Sequence, residues 1–214
     1  MSGRSSTTWW LSDRCWRRTV VFEKFLHAER RLPPLLVIGC VHYQFEAIHP
    51  FLDGNGRLGR LLIMLLLVEW GMLPSAVLDI SAYIEPRRAE YYERLLRVST
   101  HGDWAGWLRF FLAAVSAQAV DAVRRAHRLQ ALREDYRARV STVRASSLLP
   151  RLVDALFLTQ GLTIARVQEV LGVSHRAASL AVQRLVDAGM LVEHRLGRRR
   201  FFLAEEIMMI AGGS

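Results

Sequence analysis

The sequence predicts a mainly α protein in two parts, a helical core followed by a small C-terminal module. Three observations predict it. Apolar residues recur at three- and four-residue spacing through most of the chain up to Val140. Gly and Pro stand where such runs stop, as helix punctuation requires. Beyond a small polar stretch, Ser141–Ser147, the helical runs shorten and two extended runs follow around Gly197.

The elements follow in order. Met1–Thr19 mixes Ser, Thr, Arg and the tryptophans Trp9, Trp10 and Trp16 with no helical or strand period, so residues 1–21 read as irregular. Val20–Arg30 reads as a short amphipathic helix with Phe22, Phe25 and Leu26 on one side. Pro33 and Pro34 open the next helix, as proline suits a first turn. That helix runs to Ile48, with Leu35, Ile38, Val41, His42 and Phe45 at helical spacing. Asp53-Gly-Asn-Gly then breaks the pattern. A helix from Arg57 to Trp70 is apolar nearly all round, which predicts a central, buried position. Gly71 suits its C-terminal cap. Further helices are expected at Arg87–Val98, Asp103–Ala119 and Val120–Val140. After the linker 141–147, Leu148–Gln160, Thr163–Leu171 and Ser174–Asp187 read as three helices, with Thr163 and Ser174 as N-caps. Leu191–Arg195 and Arg200–Leu203 read as a two-stranded wing. The expected domains are therefore 22–140 and 148–214.

Composition bounds the function. The 214 residues are 51% hydrophobic and 23% charged, a globular balance. Net charge is +9, carried almost wholly by Arg, since Lys24 is the single lysine. Such a charge suits phosphates, nucleic acid or other acidic partners. The apolar run Leu61–Val68 is too short to span a membrane, which takes about 20 residues. Cys15 and Cys40 form neither a CxxC pair nor a zinc spacing, and they suit a reducing, cytoplasmic setting.

The chemistry concentrates between His49 and Arg60. Gly54, Asn55 and Gly56 form a tight turn directly before a helix, where glycine lets backbone approach a ligand and free N–H groups attract an anion. Arg57 and Arg60 stand on one face of the first turns. Cations there are unfavourable unless an anion binds, and a polyphosphate is such an anion. Asp53 offers a hard oxygen ligand for Mg²⁺ shared with phosphates. His49 ends the preceding helix, and imidazole is the usual general base near neutral pH. His42, Glu46 and His49 also share a helical face, with Asp53 as a conceivable fourth metal ligand. Packing explains His42 better than ligation does.

His49-Pro-Phe-Leu-Asp-Gly-Asn-Gly-Arg-Leu-Gly-Arg60 resembles the Fic-family motif HPFx[DE]GNGRxxR at every fixed position. Tyr43–Ile48, Ser81–Tyr83, Tyr91-Tyr92 and Gly102–Leu112 also look like that family, so the similarity extends over about Phe22–Val140. The resemblance implies a mainly helical Fic core that transfers AMP from ATP to a Ser, Thr or Tyr hydroxyl of a target protein. His49 would take the hydroxyl proton, and Asp53 would hold Mg²⁺. Gly54, Asn55, Gly56, Arg57, Leu58, Gly59 and Arg60 would hold the phosphates, Arg57 at the β-phosphate and Arg60 at the γ-phosphate or a local acidic group. Tyr91, Tyr92 and Ser99 would lie towards the base, although many relatives have Asn at the position of Ser99.

Two departures stand out. The family's inhibitory pattern [ST]xxxE[GN] is not matched: Thr19–Glu23 is followed by Lys24, and Ser81–Glu85 by Pro86. No hairpin pattern that would align a target strand precedes Phe22, and the expectation this raises is a truncated or frame-shifted N-terminal part. Residues 148–214 resemble a winged helix-turn-helix module. His175, Arg176, Gln183 and Arg184 on its third helix, and Arg195, Arg198, Arg199 and Arg200 in the wing, would contact DNA. Such modules also dock proteins or pair as homodimers, and both alternatives stay open. A DNA-binding regulator with an idle or nucleotide-sensing Fic core is the rival to an adenylyltransferase.

Overall fold

The computed structural model describes residues 13–27, 32–141, 148–197 and 199–212, with backbone only for 13–19. It is predominantly helical and divides into two compact units, at Ala122 and Val123.

In the first unit, α1 (Asp13–His27) precedes α2 (Pro34–Ile48) and α3 (Asn55–Glu69). The irregular reading of 1–21 thus does not hold from Asp13 onward. Arg14, Arg17 and Arg18 are good helix formers, which a search for apolar period alone overlooks. Residues 1–12 lie outside the described residues. Then come the single turn α4 (Ser81–Ile84), a 3₁₀ turn at Glu85–Arg87, α5 (Arg88–His101) and α6 (Trp104–Ser141). The two helices expected over Asp103–Val140 are one. No Gly or Pro interrupts residues 107–141, and the Ala, Arg and Gln there favour helix.

The core of this unit joins Ile38 and Val41 of α2, Ile63 and Leu67 of α3, Tyr91 of α5, and Trp107 and Phe111 of α6. Gly39 lets α6 approach α2. A Cβ there would stand 2.9 Å from Leu108 Cδ2 and 3.0 Å from the Phe111 ring. The expectation that α3 is buried all round is corrected. Asn55, Gly59, Ile63, Leu66 and Leu67 form its buried stripe, whereas Leu58, Leu61 and Leu65 on the other side are exposed.

The second unit holds α6 from Val123 onward, α7 (Leu148–Leu158), β1 (Gly161–Leu162), α8 (Ile164–Leu171), α9 (His175–Asp187), β2 (Val192–Leu196), β3 (Arg199–Leu203) and α10 (Glu205–Gly212). The boundary expected at 141–147 therefore differs from the division at Ala122 and Val123. Tyr136 and Val140 pack with Leu152, Leu156, Val182, Leu185 and Phe202, so the end of α6 belongs to this core. Residues 142–147 lie outside the described residues.

The caps follow the sequence. Thr163 and Ser174 side chains accept from the N–H groups of Arg166 and Ala177. Gly172 ends α8 in the left-handed region, at φ +69°, which glycine adopts without strain. The sheet is antiparallel in the order β1-β3-β2, with Leu162 opposite Phe202 and Glu193 also opposite Phe202 across β3's other edge. Neither β1 nor α10 is apparent in the sequence pattern. Arg133 and Arg137 both bind Asp154, at 2.8 Å for the Arg133 Nε–Asp154 Oδ1 pair, and hold its carboxyl below the usual range.

Candidate active site

The motif occupies the turn between α2 and α3. His49 caps α2 in a left-handed conformation, φ 50° and ψ 59°, with its N–H bonded to Phe45 O. Among the described residues it is the one non-glycine with positive φ. Such strain persists where surrounding structure holds it, and it clusters at functional sites. The left-handed residue turns the chain out of α2 and leaves the His49 side chain exposed.

Asn55 shapes the turn that follows. It is buried, and its amide NH₂ donates to Phe51 O at 2.6 Å while its carbonyl accepts from Phe51 N at 2.9 Å. This closes the loop 51–55 as a ring. Gly54 then starts α3 at φ +83°, which glycine permits. No described side chain caps α3. Its first-turn N–H groups are the ones an α-helix leaves without intrahelical partners. Asn55→Ala removes both bonds to Phe51 and is expected to cost about 1–3 kcal/mol of local stability. Amide exchange at Phe51 checks this; unchanged protection there would contradict the role.

Asp53 and Arg57 are exposed at the rim. Asp53 Oδ1 accepts from Gly54 N–H at 2.7 Å, and its Oδ2 lies 3.8 Å from Arg57. Arg60 is held deeper. Its Nε donates to Ser81 Oγ at 3.0 Å and its guanidinium lies 3.7 Å from Glu85.

These groups line one cleft of about 290 Å³, which brings together His49, Asp53, Gly54, Asn55, Gly56, Arg57, Arg60, Tyr91 and Tyr92. Leu52, Ile84, Glu85 and Arg88 complete it. Three expected residues lie elsewhere. Leu58 points to the exposed side of α3, Gly59 is buried under His42 and Glu46, and Ser99 shares a hydrogen bond of 2.9 Å with Tyr43. The tyrosines divide: Tyr91 is buried with its hydroxyl 2.8 Å from His42 Nε2, whereas Tyr92 is exposed. Arg88 lies 5.8 Å from the Tyr92 ring. Its signal in the sequence is its position one turn before Tyr91 and Tyr92. Glu85 and Ser81, set aside as a pattern ended by Pro86, meet at Arg60.

The metal alternative on His42 is not met. Both ring nitrogens of His42 are engaged, by Gly59 O and Tyr91 Oη. Among the described residues no group of three His, Cys, Asp or Glu could hold an ion.

In the second unit, His175 and Arg176 are exposed at the start of α9, and Arg184 lies further along it. Gln183 is bonded to Asp187. In the hairpin, Arg195 and Arg200 both bind Glu193, and Arg199 is exposed. Arg198 lies outside the described residues. No described helix is long and apolar enough to cross a membrane.

Residues 14–67 match the Fic/DOC family. The protein adenylyltransferases Fic of Drosophila erecta and Drosophila melanogaster are each 35% identical over 91 residues, 42% of this chain and 17% of theirs. The chain thus spans less than a fifth of the length of those relatives. A crystal structure of a Fic family protein from Desulfovibrio desulfuricans G20 is similar at a TM-score of 0.50 and 24% identity, over 89% of this chain and 55% of that one. At that identity the likeness is one of fold. The segment that carries His49, the glycine turn and both arginines is therefore a match to the Fic/DOC family, on a fold similar to that of a Fic family protein.

Proposed function

We propose that this chain is a Fic-type protein adenylyltransferase that moves AMP from ATP to a Ser, Thr or Tyr hydroxyl. The observation that carries the reading is the convergence of a strained histidine, an uncapped helix N-terminus, an exposed carboxylate and two arginines on one cleft.

In this reading His49 accepts the proton of the target hydroxyl. The hydroxyl oxygen bonds to the α-phosphorus, the α–β bridging bond breaks, and pyrophosphate leaves. The N–H groups of the Gly54–Gly56 turn face the phosphate charge, Arg57 the β-phosphate, and Arg60 the terminal phosphate. The chain's part is positioning and charge neutralisation. Asp53 suits Mg²⁺: it is an exposed hard oxygen donor on the cleft with its other oxygen fixed by Gly54 N–H. When bound, the ion supplies further neutralisation of phosphate charge. Tyr92 and Arg88 offer a face for the base.

Incubation with α-labelled ATP, Mg²⁺ and cell lysate tests the reading. Labelled protein is expected, and its absence against a competent lysate would sink it. Competition with unlabelled UTP or CTP then reads the nucleotide preference.

Glu85 and Ser81 are the resting partners of Arg60. Glu85→Ala removes a half-exposed competitor for the terminal phosphate, and such pairs are worth at most about 1 kcal/mol. ATP binding measured by calorimetry is expected to tighten by up to about fivefold. A weaker affinity would show that Glu85 orients Arg60 instead of competing for it.

A second reading rests on the other unit: a winged helix-turn-helix that binds DNA, with the first unit idle or sensing nucleotide. The exposed His175 and Arg176 at the α9 N-terminus and Arg199 in the hairpin favour it. Binding to duplex DNA that weakens steeply with salt supports it. Sedimentation of the free chain reads the alternative use of this module in a homodimer.

A further inference from the structure

We propose that His42 is a positioning residue for the cleft: a neutral imidazole protonated on Nδ1 ties α3 at Gly59 to the Tyr91 hydroxyl on α5. This rests on the reading of the cleft as a nucleotide site.

The hydrogen bonds determine the tautomer. His42 Nδ1 lies 3.1 Å from the Gly59 carbonyl, which only accepts, so Nδ1 carries the proton. A neutral ring then presents a lone pair at Nε2, and the Tyr91 hydroxyl, 2.8 Å away, donates to it. The ring is 1% exposed and stacks on Trp107 at 5.8 Å and 18°. Trp107 is in turn fixed by donating from Nε1 to Gly39 O at 2.9 Å. Both edges and one face of His42 are thus held.

The charged and titratable groups around it agree with neutrality. Burial pushes the His42 imidazole down to about 4; the bond to Gly59 O opposes this, and Arg60 adds to the lowering. Burial and then the nearby Glu46 push the Tyr91 phenol upward, so it remains a donor. Glu46, one turn after His42, has its own Oε1 buried without a hydrogen-bond partner among the described residues, and burial pushes its carboxyl up. The packing also explains Gly59, which stands at a position the motif leaves open. A Cβ there would lie 2.5 Å from Glu46 Oε1 and 3.1 Å from the His42 ring.

The consequence is geometric. Gly59 immediately precedes Arg60, and Tyr91 immediately precedes Tyr92. Arg60 and Tyr92 line the cleft from α3 and α5. One buried ring therefore sets the spacing between the phosphate side and the tyrosine side, without itself lining the cleft.

The test uses the full chain. In ¹⁵N-histidine NMR, with His42 assigned by loss of its signals in His42→Phe, the Nδ1-protonated neutral pattern is expected down to about pH 5. Titration near the ordinary imidazole value of about 6.5, or an Nε2-protonated pattern, would overturn the proposal. Calorimetry with ATP supplies the second readout, with Arg57→Ala as control for the cleft. His42→Phe and Tyr91→Phe are each expected to weaken ATP binding by about tenfold, the scale of one hydrogen bond. The double variant should be no worse than either, because both remove one coupling. His42→Gln, whose amide can donate to Gly59 and accept from Tyr91, should restore most of the affinity.

Wild-type binding that depends on Arg57, with His42→Phe and Tyr91→Phe both indifferent or their effects additive, overturns the positioning role alone. A wild type that binds no ATP overturns the nucleotide reading and this inference with it. Should His42→Phe fail to fold, Tyr91→Phe and His42→Gln carry the same comparison.

Discussion

His49→Ala is expected to lower AMP transfer by about 10²–10⁴-fold, the usual worth of a positioned general base, while ATP affinity stays close to wild type. The separation follows from where the groups lie. The α3 N-terminus, Arg57 and Arg60 are built without the imidazole, and Asn55 holds the loop through Phe51. The His49 N–H that closes α2 is backbone and survives the substitution. A companion variant isolates the strain. His49→Gly removes the cost of a left-handed backbone at a residue with a Cβ, roughly 1–2 kcal/mol, less the entropy that glycine adds to the unfolded chain. It should therefore be no less stable than His49→Ala and equally inactive. Two quantities are to be measured, the rate at which labelled AMP appears on protein and the midpoint of thermal unfolding. Transfer by His49→Ala at the wild-type rate would remove His49 from the chemistry.

The motif was legible because its chemistry is contiguous. One turn between two helices carries the histidine, the carboxylate, the glycines and the arginines, and local rules suffice to bring them together. The sequence reading of α2 over Pro34–Ile48 agrees with the structure. It starts α3 two residues late, at Arg57, because the ring closed by Asn55 on Phe51 draws Asn55 and Gly56 into the helix. What could not be read depends on tertiary packing. Glu85 in the 3₁₀ turn and Arg88 at the start of α5 reach the cleft only through the tertiary fold, which sets Glu85 beside Arg60, and no spacing in the chain records that. Tyr91 and Tyr92 read as an equivalent pair, yet helix geometry turns one into the core and leaves the other exposed. The two-residue β1 exists only through its pairing with β3, so it leaves no periodic trace. The exposed leucines of α3 show the same limit: an apolar helix reports what it can bury, and its neighbours decide how much.

Trp107→Ala is expected to destabilise the first unit by about 3–5 kcal/mol, the range for truncating a buried aromatic side chain. Trp107 is 1% exposed. It lies 6.0 Å from Tyr91, 6.1 Å from Phe110 and 6.0 Å from Phe111, ring centre to ring centre. Removing the indole opens a cavity among large rigid rings, which refill space poorly. It also withdraws the donor to Gly39 O and the face on which His42 stacks. Trp107→Phe keeps most of the apolar volume and loses the indole N–H, so it should cost less, about 1–2 kcal/mol. Amide exchange at Ile63 and Leu67 in the full chain reads this unit without averaging over the other. A loss below about 1 kcal/mol for Trp107→Ala would mean that the ring is not the centre of this core. Because the same ring supports His42, ATP binding by Trp107→Phe should weaken more than its small stability cost alone explains.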